Sequence, residues 1–307
     1  MRAGDVVTLR VRTAAGPTDL VGTLVAASAT QMSVRRRDGS VVVVDVENVE
    51  AGRVVPPGPA QRIGAHELHT LMVQGWRPLE TADCDGWLLR ASGGFTGRAN
   101  SALVAPDPVE DLPARLETVR RWYDERGLPP KLQVVVGSEP PGLDALLADG
   151  GWGTASPTWV MTAEIAHVLR AAAPGDVEVQ LDEHPDDPWL AAYRNDEGPL
   201  SPAAVQVLTN HPDVVFASVR EAGTCVAVAR VAVDGRWAGL FAVEVLDTHR
   251  RRGLAQAVTA AALKWAVGRG ARRTYLQVVN TNATAIALWE RLGFRHHHDY
   301  IYRTAPT

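Results

Sequence analysis

The residues whose type and spacing suggest chemistry are Arg250, Arg251, Arg252 and Gly253. They lie between an apolar stretch ending Val243-Glu244-Val245-Leu246 and an alanine-rich run from Leu254 to about Gly268. The pattern reads as a strand, a tight basic loop and the first turn of a helix. A glycine at such a junction lets the backbone approach a ligand closely. The first N–H groups of a helix have no internal acceptor, and with the helix dipole they favour an anion. Three arginines beside them strengthen that preference, so the chemistry is phosphate or pyrophosphate binding. There is no G-x-x-x-x-G-K-[ST] and no G-x-G-x-x-G in the chain, which argues against a P-loop or a dinucleotide site.

A second motif follows. Arg273-Thr-Tyr-Leu-Gln-Val-Val279 has strand composition. Asn282 then reads as an N-cap, with a helix to Leu292 and Gly293 as its stop. Arg250-Arg-Arg-Gly-Leu-Ala255 fits [QR]-x-x-G-x-[GA], and Asn282 to Phe294 fits N-x-x-A-x-x-x-[YW]-x-x-x-G-F. In this order the two motifs resemble the signatures of the GCN5-related N-acetyltransferase (GNAT) superfamily. The resemblance implies an α/β (α+β) fold with a mixed central sheet and flanking helices. It also implies acetyl-CoA as co-substrate and direct attack of a primary amine within a ternary complex. On the resemblance, Arg250, Arg251, Arg252, Gly253, Leu254 and Ala255 cradle the pyrophosphate. Val243 and Val245 hold the pantetheine where two strands splay, and Asn282, Ala285 and Trp289 flank the thiol end.

The chain departs from the family where many members carry a tyrosine that protonates the leaving thiolate. Trp289 stands there, and an indole is only a hydrogen-bond donor. Tyr300 and Tyr302 on the last strand are the candidate replacements, unless the thiolate needs no acid. Glu244 is the candidate base, the one acid within its strand, with Asp247 and His249 as weaker alternatives. Alternation places Glu244 on the face opposite Val243 and Val245. No cysteine lies in the motifs to argue for an acyl-enzyme. His296-His297-His298-Asp299 invites a metal reading, but adjacent strand residues point to opposite faces and no companion ligand set has metal spacing. A turn before the last strand is expected there, and no metal. The rival function is an acyl-CoA-sensing or binding protein without turnover.

Upstream, Trp122, Arg126-Gly127, Leu132-Gln-Val-Val135, Gly151-Trp152 and Trp159–Ala163 answer Trp265, Arg269-Gly270, Leu276-Gln-Val-Val279, Gly293-Phe294 and Ile301–Ala305 in the same order. This suggests an internal duplication. The copy carries Ala105-Pro-Asp-Pro-Val-Glu-Asp-Leu112 where the later half has its basic loop. With neither glycine nor arginine there, it is expected to be a degenerate GNAT-like half without a cofactor. Its strands are read over 86–92 and 98–104 and its long helix over 110–126. The hairpin Gly86–Ser101, with Gly93, Gly94 and Gly97, offers Trp87, Arg90, Arg98 and Asn100 as acceptor-binding candidates, the arginines suiting a carboxylate.

These sites need elements to position them. Residues 164–307 read as the catalytic GNAT domain. Its first strand spans 177–181, two short helices span 188–195 and 203–208, and three strands span 214–220, 224–233 and 240–246. Residues 61–163 are the degenerate half. Residues 1–56 read as a small SH3-like β-barrel with strands over 6–11, 20–27, 32–36 and 40–46. An Asp38-Gly39 turn and a linker at 56–60 complete it, and Arg35-Arg36-Arg37 reads as a solvated patch. A net charge of −4 argues against nucleic-acid binding by bulk electrostatics. Two cysteines far apart, no secretory signal and no membrane-spanning run point to a cytoplasmic protein. The expected partners are an amine acceptor (a small molecule, a protein lysine or an N-terminus) and a second copy in a homodimer.

Overall fold

The computed structural model describes residues 6–13, 16–36, 40–54, 63–172, 176–194 and 198–306. The chain divides into two compact units, 1–63 and 64–307. The Asp38-Gly39 turn, Arg37, the Arg35 side chain and the 56–60 linker lie outside the described residues. Among the described residues no helix is long and apolar enough to cross a membrane.

The first unit is a small antiparallel sheet of β1 (Val6–Thr13), β2 (Gly16–Ala27), β3 (Gln31–Arg35), β4 (Val41–Asp45) and β5 (Val49–Val54), in the order β4-β3-β2-β1-β5. Period-two alternation places Val7, Leu9, Val11, Leu24 and Val34 in its core. The sequence reading missed β5.

The second unit opens with α1 (Ala65–Gly75), β6 (Glu80–Cys84), β7 (Trp87–Ala91) and β8 (Ala102–Leu103). Next come α2 (Leu112–Asp124), β9 (Lys131–Val135), α3 (Leu143–Asp149), β10 (Gly153–Glu164) and α4 (Ile165–Ala171). The later half adds β11 (Gln180–Asp182), α5 (Asp187–Ala192), α6 (Pro202–Thr209), β12 (Val214–Glu221), β13 (Thr224–Asp234) and β14 (Trp237–Val245). It ends with α7 (Leu254–Gly268), β15 (Arg273–Val279), α8 (Ala283–Arg291) and β16 (Arg295–Thr304). These strands form one 11-stranded sheet, β11-β12-β13-β14-β15-β10-β16-β9-β8-β7-β6.

Its middle explains why the unit is one body. β10, the last strand of the earlier half, pairs with β15 of the later half. β16, the last strand of the later half, pairs with β9 of the earlier one. β10 and β16 also pair with each other. Each half therefore completes its sheet with the other's final strand, and the boundary at 163/164 runs through shared structure. The same pairing corrects the histidine run. His296, His297 and His298 lie within β16 and not in a turn, because β10 offers a partner as far as Arg295. The expected strand over 98–104 is also corrected. Arg98 and Ala99 belong to a 3-10 turn over Gly97–Ala99, and only Ala102–Leu103 join the sheet.

Candidate active site

The site begins where β14 and β15 part. They run parallel and pair only at Trp237–Arg273, Ala238–Thr274 and Gly239–Tyr275. Beyond Gly239, β14 continues against β13 to Val245, while β15 continues against β10. The two strands thus open into a cleft, and residues 240–245 make no ladder pairs with β15. A bulge at Ala242, with φ 51°, shifts the β13–β14 register there.

A groove of about 1230 Å³ runs from this cleft to the start of α7. Val243, Glu244, Val245, Arg250, Arg251, Gly253, Leu254, Ala255, Asn282 and Ala285 all line it; Glu244 reaches the same groove as Val243 and Val245, where strand alternation alone predicts the opposite face. Gly253 is the N-cap of α7, with φ 79° in the left-handed region and no side chain to satisfy the helix start. A Cβ there would meet nothing within 4 Å, so the backbone faces open space. Gly253 O accepts the first intrahelical bond, from Ala257 N, which leaves the preceding N–H groups without a partner inside the helix. Asn282 is an N-cap, its Oδ1 accepting from Ala285 N at 3.0 Å.

Two cofactor-side placements, those of Arg252 and Trp289, correct the sequence reading. Arg252 does not line the groove; its Nη2 donates to Glu221 Oε1 at 2.6 Å, across to the end of β12. Hydrogen bonding by Arg252, with help from His249, lowers the Glu221 carboxyl below its usual range. Arg250 lines the groove while paired to Asp247 at 2.6 Å. Trp289 is buried in the core against Phe294. Ala285, Leu288 and Arg291 repeat every three residues and face the groove, so Trp289, about 100° further round the helix, turns inward.

Glu244 lies half-buried on the groove face, and its Oε2 accepts the Arg194 backbone N–H at 2.9 Å. Tyr300 and Tyr302, the expected acids, are 3% and 7% exposed on β16 and do not line the groove. Burial raises the Tyr302 phenol well above its ordinary value. Tyr302 packs on the turn before Arg98, where a Cβ on Gly97 would meet its ring at 2.7 Å.

Of the acceptor candidates, the structure brings Arg98 alone to the groove. Trp87 is fully buried in the core of the earlier half. Arg90 is 3% exposed, and its guanidinium donates to Ser101 O at 2.8 Å, Ser101 Oγ at 2.8 Å and Gln133 Oε1 at 2.6 Å. With these bonds made, it is a structural tie between β7 and β9. Asn100 staples the glycine loop. Its Oδ1 accepts from Ser92 N and Gly94 N, and its Nδ2 donates to Phe95 O and Thr96 O. Those bonds, with Trp76 Nε1 donating to Thr96 Oγ1 at 3.0 Å, hold Thr96 at φ 58°. That conformation is strained for a β-branched residue, by about 1–3 kcal/mol. The constraint delivers Arg98 into the groove.

Sequence reasoning missed Thr96, Tyr193, Arg194 and Arg291 as lining residues. Only Arg291 carried a signal, its three-residue spacing from Leu288 and Ala285. The others arrive by packing of distant segments. Among the described residues no group of three or more histidine, cysteine or acidic side chains is placed to hold a metal.

Comparison with known proteins agrees with this architecture. Residues 65–303 match the family model described as "Probable histone acetyltransferase Rv0428c C-terminal". A Mycobacterium tuberculosis protein named "Probable histone acetyltransferase Rv0428c" is 34% identical, over 99% of this chain and 96% of its own. A Bacillus subtilis protein named "Uncharacterized N-acetyltransferase YobR" is 27% identical, over 77% of this chain and 97% of its own. The solved structure of a GCN5-related N-acetyltransferase from Kribbella flavida superposes with a TM-score of 0.61 at 20% identity, covering 79% of this chain and 96% of that one, and shares the fold. The chain therefore belongs to the Rv0428c-like family of acetyltransferases, built on the GNAT fold.

Proposed function

We propose that the chain moves an acetyl group from acetyl-CoA to a primary amine, within a ternary complex held in the groove between β14, β15 and α7. The observation that carries the reading is the cleft opened beyond Gly239 and Tyr275, leading directly to an α7 start capped by Gly253. In this reading residues 164–307 hold the cofactor and 61–163 shape the acceptor side. Arg250, Arg251 and the α7 N–H groups meet the pyrophosphate. The pantetheine lies along Val243–Val245, where a backbone N–H would stabilise the developing oxyanion. Asn282 and Ala285 close the α8 side.

Glu244 takes the proton from the acceptor ammonium, directly or through water, and the amine attacks the thioester carbonyl carbon. The tetrahedral intermediate expels the CoA thiolate, and the proton still on the nitrogen passes to that thiolate or to solvent. A thiol pKa near ~8.5 makes it a fair leaving group, so the absence of a tyrosine at Trp289 does not block the reaction.

The test is thermal unfolding of the full chain with and without acetyl-CoA, for wild type and Gly253→Glu, followed by assay of free CoA thiol with an amine panel. Acetyl-CoA at ~100 times its Kd should stabilise wild type by about 2.7 kcal/mol. The variant should lose that gain, because a carboxylate beside the helix start repels the diphosphate. Thiol release that depends on an added amine would support transfer. No stabilisation of wild type would refute the assignment, and stabilisation without thiol release would leave a binding protein.

A further inference from the structure

Two guanidinium groups share one buried aromatic pair, and one of the two, Arg98, also lines the groove. The Trp76 and Phe241 rings are 5.0 Å apart. The Arg98 guanidinium carbon lies 4.8 Å from the Trp76 centroid and 5.7 Å from that of Phe241. Arg230 approaches the same rings to 5.1 and 5.2 Å. Among the described residues neither guanidinium has a carboxylate in ion-pair contact. Arg230 is fully buried on β13 and donates to Leu208 O at 2.7 Å and Gly75 O at 2.8 Å, while its Nη2 has no acceptor. Burial pulls its pKa down to about 9; Tyr275, Tyr193 and Asp234 push against this, and Arg98 pushes with it.

Two adjacent cations repel, and ring faces offset only part of that cost. The arrangement is favourable when an anion joins it. Arg98 is the member that reaches the groove.

The cofactor's diphosphate is not that anion. Phe241 is five residues before Leu246, where the basic loop begins, roughly 16 Å along a strand. Glu244, the proposed base, lies between the two. An amine at Glu244 thus has Arg98 on the side away from the cofactor loop. A single planar fork on an aromatic platform matches the two oxygens of a carboxylate.

We propose that Arg98 binds a carboxylate on the acceptor, so that the acceptor is an amine that also carries a carboxylate, an amino acid or amino-acid-like molecule, and not a polycation. The proposal rests on the acetyl-CoA reading of the same groove. Arg230 acts through the shared rings, holding the platform and adding positive potential.

The experiment measures CoA thiol release by the full chain with matched acceptors: free α- and ω-amino acids, their amides, a diamine and a lysine peptide amidated at its C-terminus. Wild type should favour acids over their amides by tenfold or more in kcat/KM. Arg98→Gln should bring the ratio close to one, mainly through KM for the acids. Stabilisation by acetyl-CoA should be the same in both proteins, and this separates failure here from failure of the cofactor assignment. Amides or the lysine peptide turned over as well as the acids would overturn the proposal. So would an unchanged ratio in Arg98→Gln. If no acceptor turns over, added stabilisation of the CoA complex by the acids but not the amides, lost in Arg98→Gln, would support it, and no added stabilisation would refute it.

Discussion

Replacing Glu244 by glutamine separates its chemical role from its structural one. Its Oε2 accepts the Arg194 N–H at 2.9 Å, so the side chain helps to hold the chain after α5 against β14. Glutamine keeps an acceptor oxygen there and loses only the charge assistance, a stability cost of about 1 kcal/mol. Alanine strands the N–H, at about 1–3 kcal/mol if water cannot reach it. A general base contributes about 10²–10⁴ in rate, equivalent to about 2.7–5.4 kcal/mol of transition-state stabilisation. Glu244→Gln should therefore lower kcat by at least a hundredfold, with a small change in Tm and no change in stabilisation by acetyl-CoA. The assay is thiol release at saturating amine across pH 5–9, beside thermal unfolding of the same samples. A glutamine variant within tenfold of wild type would show that Glu244 is not the base.

The remaining predictions concern stability and assembly. Because β10 and β16 are exchanged between halves, fragments 64–163 and 164–307 should each be unfolded or aggregated alone, and co-expression should recover a soluble complex; a monomeric, cooperatively folded 164–307 fragment would contradict this. Burial first, then neighbouring histidines, lowers His298 to about 4 and places His69 well below its ordinary 6.5. Both stay neutral in the fold while the unfolded chain takes up protons, so their stabilisation is full above about pH 6.5 and is lost as pH falls toward 4. Urea unfolding between pH 7 and pH 4.5 should show that decline, and His298→Gln should flatten it; an equal slope in the variant would assign the acid sensitivity elsewhere.

The parts of the site carried by one continuous segment were legible in the sequence. The α7 start, its Gly253 cap and the Asn282 cap follow from local chemistry, and the structure places them as local chemistry requires. What depended on the face of an element was half legible. The motif spacing placed Trp289 on the right helix, yet one residue's rotation decides between groove and core. The helix α1 was missed although Glu67 and the Leu68–Met72 spacing mark a helix start and a face. The Asp85-Gly86 turn that joins β6 to β7 was another overlooked local signal. Arg90 and Arg98 illustrate the limit. Both are arginines on the same glycine loop system. One is consumed by Ser101 and Gln133, the other stands on Trp76 and Phe241, and nothing in their local sequence separates them. The exchange of β10 and β16 was also hidden, since alternation states which face of a strand is apolar and not which strand it joins.

The two halves differ most where they are most alike in plan. Each has a parallel strand pair, β8–β9 and β14–β15, and a long helix following the first strand of that pair. In the earlier half that helix, α2, is capped by its own sequence. Asp111 Oδ1 accepts from Ala114 N at 2.9 Å, which satisfies the helix start and places a negative charge on it. In the later half the corresponding α7 is capped by a glycine, so its start is left for an acceptor from outside. The same alignment of peptide dipoles serves stability in one case and, on the proposed reading, ligand binding in the other. The earlier half is not idle, because the strand exchange fixes it against the open cleft of its neighbour. Its constrained turn at Thr96 to Arg98 supplies the groove with a cation that the later half does not encode. On the proposed reading, the half that lacks the basic loop supplies a wall to the half that carries it, and acceptor selectivity can change in the earlier half without disturbing the α7 start.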